Sequence, residues 1–275
     1  MNRRIGIALA VMLISLTGAI HADPLDDGLK AFTAGDYKRA IEAWRPLADQ
    51  GLALAQSRLG YLYMNGQGVQ QDYKEAVSWY RKAADQGDAD AQNNLGVLYY
   101  NGQGVTQDHK EAVSWYRKAA DQGHARAQYN LGWMNKHGQG IPQDYKEAVN
   151  WYGKAAEQGD AKAQLNLGLM NENGQGVPQD DVEAVLLYRK AAEQGYALAL
   201  YDLGLSYYKG QGVPQNNILA YVLFSLAVVG GEDKAISIRE SIQTVMTPEE
   251  IEKGQELAAG WKPGQPLPKS KDTKE

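Results

Sequence analysis

A motif of constant length recurs five times along this chain. Glycines stand 36 residues apart, and a sixth one closes the series: Gly51, Gly87, Gly123, Gly159, Gly195 and Gly231. No insertion or deletion interrupts the register, so residues 51–231 consist of five units of equal length. Repeats of roughly 20 to 50 residues are typical of arrays in which each unit packs mainly on its neighbours.

Each unit contains two segments with helical periodicity. The apolar residues of the first segment recur at the spacing of one helical face, and in the first unit they are Ala55, Leu59, Leu62 and Tyr63. A Gly-Gln-Gly sequence then ends this helix, because glycine adopts the left-handed cap conformation at little cost. The second helix begins at an aspartate that has glutamate three residues later, the spacing of a capping box. These aspartates are Asp72, Asp108, Asp144 and Asp180.

One helix hairpin of this size cannot bury both of its apolar faces, so successive hairpins must stack and share a core. The predicted fold is therefore all-α, a solenoid of stacked helix hairpins. Large rings recur at one depth of the second helix and are predicted to fill the gaps between layers. They are Trp79, Trp115 and Trp151, with Tyr80, Tyr116, Tyr152 and Tyr188 beside them.

Two stretches of the second unit resemble a known family. The sequences ADAQNNLGVLYYNGQGV at 89–105 and DHKEAVSWYRKAADQG at 108–123 are similar to the Sel-one-like repeat. The resemblance extends over residues 51–231 and is specifically to the exported bacterial type. It implies a right-handed α/α superhelix, related to the tetratricopeptide repeat, and a role as a scaffold or adaptor that binds other proteins.

The segments outside the repeats have distinct patterns. Residues 24–50 are predicted to form an N-terminal helical cap and residues 232–260 a pair of C-terminal capping helices, since end units lack one neighbour. Residues 261–275 are rich in proline and lysine and are predicted to form a disordered tail.

The N-terminus has the pattern of a signal peptide. Arg3 and Arg4 precede an apolar stretch at 5–20, and Ala22 offers a small residue for cleavage. The alternative, an uncleaved anchor, is disfavoured because the stretch is shorter than the roughly 20 residues that span a bilayer. We therefore expect residues 1–22 to be a signal peptide and the mature chain to be periplasmic or secreted, without stable membrane insertion.

Composition and motifs disfavour several kinds of site. There are no cysteines and four histidines, and no ligands stand at short metal-binding spacing, so neither a metal nor a cofactor is expected. The 28 basic residues are scattered and the net charge is −5, which is unlike a nucleic-acid-binding chain. No catalytic motif is present. We expect a monomer that is not an enzyme.

A stripe on the first helices changes from unit to unit while the scaffold positions stay constant. Its positions are spaced i, i+4 and i+7, and tyrosine and tryptophan are enriched in interaction hot spots. The predicted partner-binding residues are Tyr61, Tyr100, Tyr129, Trp133, Lys136, Leu165, Leu169, Glu172, Tyr201 and Tyr208. The alternative is that these rings pack against the next first helix. Asn135 and Asn171 replace Tyr63, Tyr99 and Tyr207, a change predicted to open the centre of the stripe.

These observations predict an exported scaffold that binds a protein or peptide on the concave face of the solenoid. The alternative is a cell-wall-acting enzyme, or a modulator of a peptidoglycan hydrolase or β-lactam-binding protein, because some exported relatives act on the wall. The branch of the family linked to β-lactam binding is rich in cysteine, which this chain lacks.

Overall fold

A computed structural model describes residues 24–268 of the chain. Between these residues it contains fourteen α-helices and no β-strand. The helices, in chain order, are α1 (Pro24–Thr33), α2 (Tyr37–Asp49), α3 (Ala53–Asn65), α4 (Tyr73–Asp85), α5 (Ala89–Asn101), α6 (His109–Asp121), α7 (Ala125–His137), α8 (Tyr145–Glu157), α9 (Ala161–Glu172), α10 (Asp181–Glu193), α11 (Ala197–Lys209), α12 (Asn217–Val229), α13 (Lys234–Gln243) and α14 (Pro248–Gly260). The predicted signal peptide lies outside the described residues.

From α1 to α13 the helices pack in chain order, each mainly against its neighbours along the chain. The five units are the hairpins α3/α4, α5/α6, α7/α8, α9/α10 and α11/α12. Helices α1 and α2 form a further hairpin before the first unit, and α13 and α14 both pack on α12. The predicted all-α superhelical solenoid is confirmed.

Each hairpin is held by a ring that lies directly on a glycine of the first helix. A Cβ added to Gly60 would lie 2.7 Å from Cδ1 of Tyr80, so only glycine allows the two helices to come this close. Corresponding contacts, with the ring 2.6 to 2.8 Å from such a Cβ, join Gly96 to Tyr116, Gly132 to Tyr152, Gly168 to Tyr188 and Gly204 to Phe224. The rings are buried, as predicted.

The Gly-Gln-Gly loops end the first helices and also join neighbouring units. Gly66 caps α3 with a φ of 66°, in the left-handed region that favours glycine. The second glycine of the loop packs on the preceding unit, since a Cβ on Gly104 would lie 2.3 Å from the carbonyl oxygen of Tyr73. These loops are therefore structural contacts, and this agrees with their predicted role as helix stops.

The N-terminal caps of the second helices are only partly as predicted. The Asp72 carboxylate accepts hydrogen bonds from the backbone N–H groups of Lys74 and Glu75, at 2.9 and 3.1 Å. Within 24–268 the reciprocal glutamate bond of a full capping box forms only in α14, between Thr247 and Glu250. In α6 the corresponding Glu111 instead accepts from the indole N–H of Trp115 at 2.8 Å.

A row of buried glutamines runs through the first four units. Gln92 in α5 donates to the carbonyl oxygen of Ala84 in α4 at 3.1 Å, and it accepts from Gln122, beyond α6, at 2.7 Å. One side chain thus connects three consecutive helices and satisfies a buried carbonyl. Gln56, Gln128 and Gln164 repeat both bonds. In the fifth unit the position is taken by the buried Leu200.

A second polar contact crosses some unit boundaries and is missing from others. The guanidinium of Arg189 in α10 donates to the hydroxyl of Tyr207 in α11 at 2.6 Å. Arg81 bonds Tyr99 and Arg45 bonds Tyr63 in the same way. At the two boundaries between these pairs the tyrosine is replaced by asparagine.

The asparagines at these two boundaries do not open the structure as predicted. Asn135 is 3% exposed and Asn171 is 9% exposed. Each donates its amide to a carbonyl oxygen of its own helix, that of Leu131 or Leu167, at 2.8 or 2.9 Å. Because these bonds satisfy the amides internally, the positions stay closed.

The segment after α14 also differs from its prediction. Residues 261–268 contact the last two units at particular points although residues 262–266 are exposed: the N–H of Gly264 donates to the carbonyl oxygen of Glu193 at 2.7 Å, and Leu267 is 4% exposed. The proline and lysine pattern that indicated disorder from 261 does not reveal that Leu267 meets the core of the last two units. Residues 269–275 lie outside the described part of the chain.

The close approach of glycine and ring is testable at the central unit. We expect Gly132→Ala to lower the free energy of unfolding by about 1–3 kcal/mol, because the added methyl group overpacks against the buried Tyr152 ring. Gly153→Ala is the matched control: it is also a helical glycine, nothing lies within 4 Å of its Cβ position, and alanine there is expected to add up to about 1 kcal/mol. Denaturant unfolding followed by circular dichroism measures both. Equal stability of the two variants would contradict this account of the contact.

Candidate functional site

Three adjoining cavities open along the row of first helices. They have volumes of about 260, 510 and 200 Å³ and span the first helices of the first four units, reaching the start of the fifth. The first and second share Asn93, Asn94 and Arg126, and the second and third share Tyr129 and Asn130. Because they share walls, they form one continuous surface, which we call the first-helix groove.

The third of these cavities is an aromatic pocket. Its walls are Tyr100, Tyr116, Tyr129 and Trp133, with Asn130 and Met134. The rings of Tyr100 and Trp133 meet edge to face at a centroid distance of 5.6 Å. His137 stacks on Trp133 at a centroid distance of 4.2 Å, which gives the indole a second ring contact. Since the rings support one another, the pocket is formed before any partner arrives, and this lowers the entropic cost of binding.

Tyrosine hydroxyls lie beneath the groove. Tyr152 packs under Tyr129 at a ring distance of 5.7 Å, and its buried hydroxyl has no hydrogen-bond partner among the described residues. Burial raises the pKa of Tyr152 and of Tyr116 above the usual value for a phenol, so both stay protonated at neutral pH. Both phenols are therefore neutral, and of the two only Tyr116 lines a cavity of the groove.

An amide network lies beside the pocket. Asn130 donates to Asn93 at 3.0 Å, Asn93 donates to Asn94 at 3.2 Å, and Asn94 donates to the hydroxyl of Tyr80 at 3.3 Å. Each side chain amide carries both donors and an acceptor. This chain of bonds fixes the amides in place at the second and third units, where two of the cavities adjoin.

The structure places the ten predicted residues in different environments. Tyr61, 37% exposed, lines the first cavity, and Tyr100, Tyr129 and Trp133 line the aromatic pocket. The C-terminal members pack on the core of the last two units instead. They are Leu165, Leu169, Tyr201 and Tyr208. Leu165 is only 5% exposed, so it is a core residue and cannot serve as a contact for a partner.

The two charged residues of the predicted set form hydrogen bonds with neighbouring side chains. Lys136 donates to the amide oxygen of Asn166 in the next unit at 3.3 Å, and its partial burial lowers its pKa. Glu172 accepts from the hydroxyl of Tyr188 at 2.7 Å. Both are half-buried and lie beyond the lining of the three cavities.

Several groove residues were missed by the prediction. Arg58, Arg126 and Lys162, together with Asn94 and Asn130, line the cavities but stand outside the predicted stripe. They occupy two adjacent columns of the repeat that also vary between units, namely residues 54, 90, 126, 162 and 198 and residues 58, 94, 130, 166 and 202. Comparison of every first-helix column would have found them.

A carboxylate with an unusual pKa lies at the C-terminal end of the row. Burial, with the nearby carboxylates of Glu172 and Glu232, raises the pKa of Asp202 to about 7, against the opposing effect of Lys234 and Lys209. Desolvation and like charge both favour the protonated form. Among residues 24–268 no group of three or more histidine or acidic residues is arranged to hold a metal ion. No helix in that range is both long and apolar enough to cross a bilayer.

Comparison with known proteins shows the family. The Sel1 repeat model matches residues 53–88, 89–124, 125–160, 161–196 and 197–228, which is well over half of the chain. This protein therefore belongs to the Sel1 repeat family. Proteins of this family are generally scaffolds for protein interaction.

Solved structures of the same family resemble the chain. A Sel1 repeat protein from Oxalobacter formigenes is 36% identical with a TM-score of 0.76, and the match covers 90% of this chain and all of that one. A sel1 repeat protein from Klebsiella pneumoniae is 26% identical with a TM-score of 0.48, covering 73% of this chain and 97% of that one. Among curated proteins, none matches the chain significantly.

The raised pKa of Asp202 predicts a pH effect on stability. In the unfolded chain this carboxyl group has its usual pKa of 3.8. In the folded chain its pKa is about 7, so it keeps its proton to higher pH. The folded state thus binds more protons between these values, and the contribution of this group to stability falls as pH rises from about 4 to 7. Asp202→Asn is expected to remove that fall.

Denaturant unfolding at several pH values, compared between the parent and Asp202→Asn, measures the effect. Asp121→Asn, at the exposed end of α6, changes the same charge and should keep the parental profile. Parallel profiles of the parent and Asp202→Asn would refute the shift.

Proposed function

We propose that this protein is an exported scaffold that holds a protein or peptide partner in the first-helix groove, on the concave side of the superhelix. The aromatic pocket between the second and third units supports this most directly, because four rings, two of them in edge-to-face contact, line an open cavity of about 200 Å³. Half-buried aromatic anchors in preformed pockets dominate the energetics of many interfaces. Family membership supports the role of scaffold.

Export is part of this proposal. It is supported by the pattern of residues 1–22, with two arginines, an apolar stretch and a small residue at the cleavage point. A chain of this kind would meet its partner in the periplasm or outside the cell. N-terminal sequencing of the protein recovered from the periplasm or medium, with Asp23 as the expected first residue, tests the cleavage site. Recovery of the intact chain from the cytoplasm alone would refute export.

The groove makes a prediction about partner capture. Trp133→Ala should abolish capture of a partner from periplasm and culture medium, because the indole forms one wall of the pocket. Tyr201→Ala is the matched control, since this ring stands on the same stripe but packs on Phe224 at 5.9 Å and lines none of the three groove cavities. Both variants remove packing, so a general loss of stability would affect both.

The readout is a pull-down with the mature chain as bait, together with circular dichroism and the melting temperature of each variant. Capture that persists in Trp133→Ala, or that is lost equally in Tyr201→Ala, would contradict binding in the pocket. Assays of the purified chain on peptidoglycan and on a chromogenic β-lactam bear on the enzymatic alternative, and turnover in either would overturn the scaffold proposal.

A further inference from the structure

The charges that line the first-helix groove are not balanced. Arg58, Arg126 and Lys162 line its first two cavities, and none of these three cations has an ion-pair partner among residues 24–268. The two acidic residues of the same cavities already have partners: Asp90 contacts the imidazole of His124 at 3.0 Å, and Asp160 accepts from the N–H of Ala163 at 2.8 Å.

This local charge contrasts with that of the whole chain. The net charge of the protein is −5, whereas the lining of these two cavities carries three cations and two carboxylates, an excess of one positive charge, and neither carboxylate is paired with one of the three cations. A single half-exposed ion pair contributes little to the free energy of binding. Several cations along one groove, however, select a partner of the opposite charge and steer its approach.

The neighbouring groups favour a polypeptide over other anions. Asn93, Asn94 and Asn130 are held in place by their own bonds, and amides can pair with both the N–H and the C=O of an extended backbone. The aromatic pocket adjoins them and has room for one apolar side chain. Helices pack roughly 8–10 Å apart, which an extended chain spans in about three residues.

Resting on the proposed function, we infer that the partner presents an extended acidic segment, with carboxylates opposite Arg58, Arg126 and Lys162 and an apolar side chain in the aromatic pocket. Sequence-independent attraction of any polyanion would need neither the amides nor the pocket. The segment would lie across the first four units, and its acidic part would end before Glu172, whose charge would repel it.

The test uses the mature chain and three labelled peptides of about twelve residues, sized to cross the groove at roughly 3.3 Å per residue. The first carries glutamate at every third position beside one phenylalanine, and the others replace each glutamate by glutamine or by lysine. Fluorescence anisotropy at low and high salt gives the dissociation constants. We expect the glutamate peptide to bind about tenfold more tightly than the glutamine peptide at low salt, and the difference to shrink at high salt.

Paired variants identify the source of this preference. The double variant with Arg126→Gln and Lys162→Gln should lose most of the tenfold difference. The control double variant, Lys110→Gln with Lys146→Gln, should retain it, because these lysines lie on exposed first turns of α6 and α8 outside the groove. Arg126→Glu with Lys162→Glu should reverse the preference towards the lysine peptide. Trp133→Ala should weaken all three peptides.

Other binding results would overturn the inference of an acidic partner. Equal binding of the glutamate and glutamine peptides, lost in Trp133→Ala, would leave the groove function standing and overturn the acidic partner. Binding that dextran sulfate abolishes and that Trp133→Ala leaves intact would indicate an unspecific polyanion surface and also overturn it. If no peptide binds the parent chain, this inference fails, whereas the proposed function fails only if the pull-down with the parent chain also captures no partner that depends on Trp133.

Discussion

The contact between a helical glycine and a buried ring sets the geometry of every unit. Because a methyl group at Gly60, Gly96 or Gly132 would meet the facing tyrosine, only glycine at that position allows the two helices of a hairpin to approach this closely. The ring itself is fully buried and hence fixes which side of the second helix faces inward. Repetition of the contact at a constant interval of 36 residues makes each hairpin a copy of the last, and a superhelix follows from stacking copies.

The two helices of a unit have different roles in this arrangement. The second helix supplies the large buried rings, so its inner face has little freedom to vary. The first helix needs only small and medium residues at its buried positions, and its remaining surface is free to carry Arg126, Trp133 or Asn94. Most of the groove lining therefore stands on the first helices, and a column such as that of Tyr129 and Leu165 lines the groove in one unit and joins the core in the next.

The sequence predicts the fold more completely than it predicts which residues line the groove. The unit boundaries, the helix pairs, the glycine stops and the aspartate caps all follow from local rules of periodicity and capping, which do not depend on distant parts of the chain. The groove depends on how far each first helix is covered by its neighbours. Periodicity placed Leu165 and Trp133 on one stripe, but only packing distinguishes the buried leucine from the accessible indole. Likewise, the buried Gln92 resembles any polar helix residue until its two partners are known.

The bonds between arginine and tyrosine join only some of the units. Arg45 with Tyr63 and Arg189 with Tyr207 provide this bond near the ends, whereas Asn135 and Asn171 at the middle boundaries bond only within their own helices. Other contacts join the middle units, namely the edge-to-face rings of Tyr100 and Trp133 and the bonds from Asn130 to Asn93 and from Lys136 to Asn166. The first two of these contacts are made by residues that line the groove, so a substitution there changes the lining and the coupling between units together.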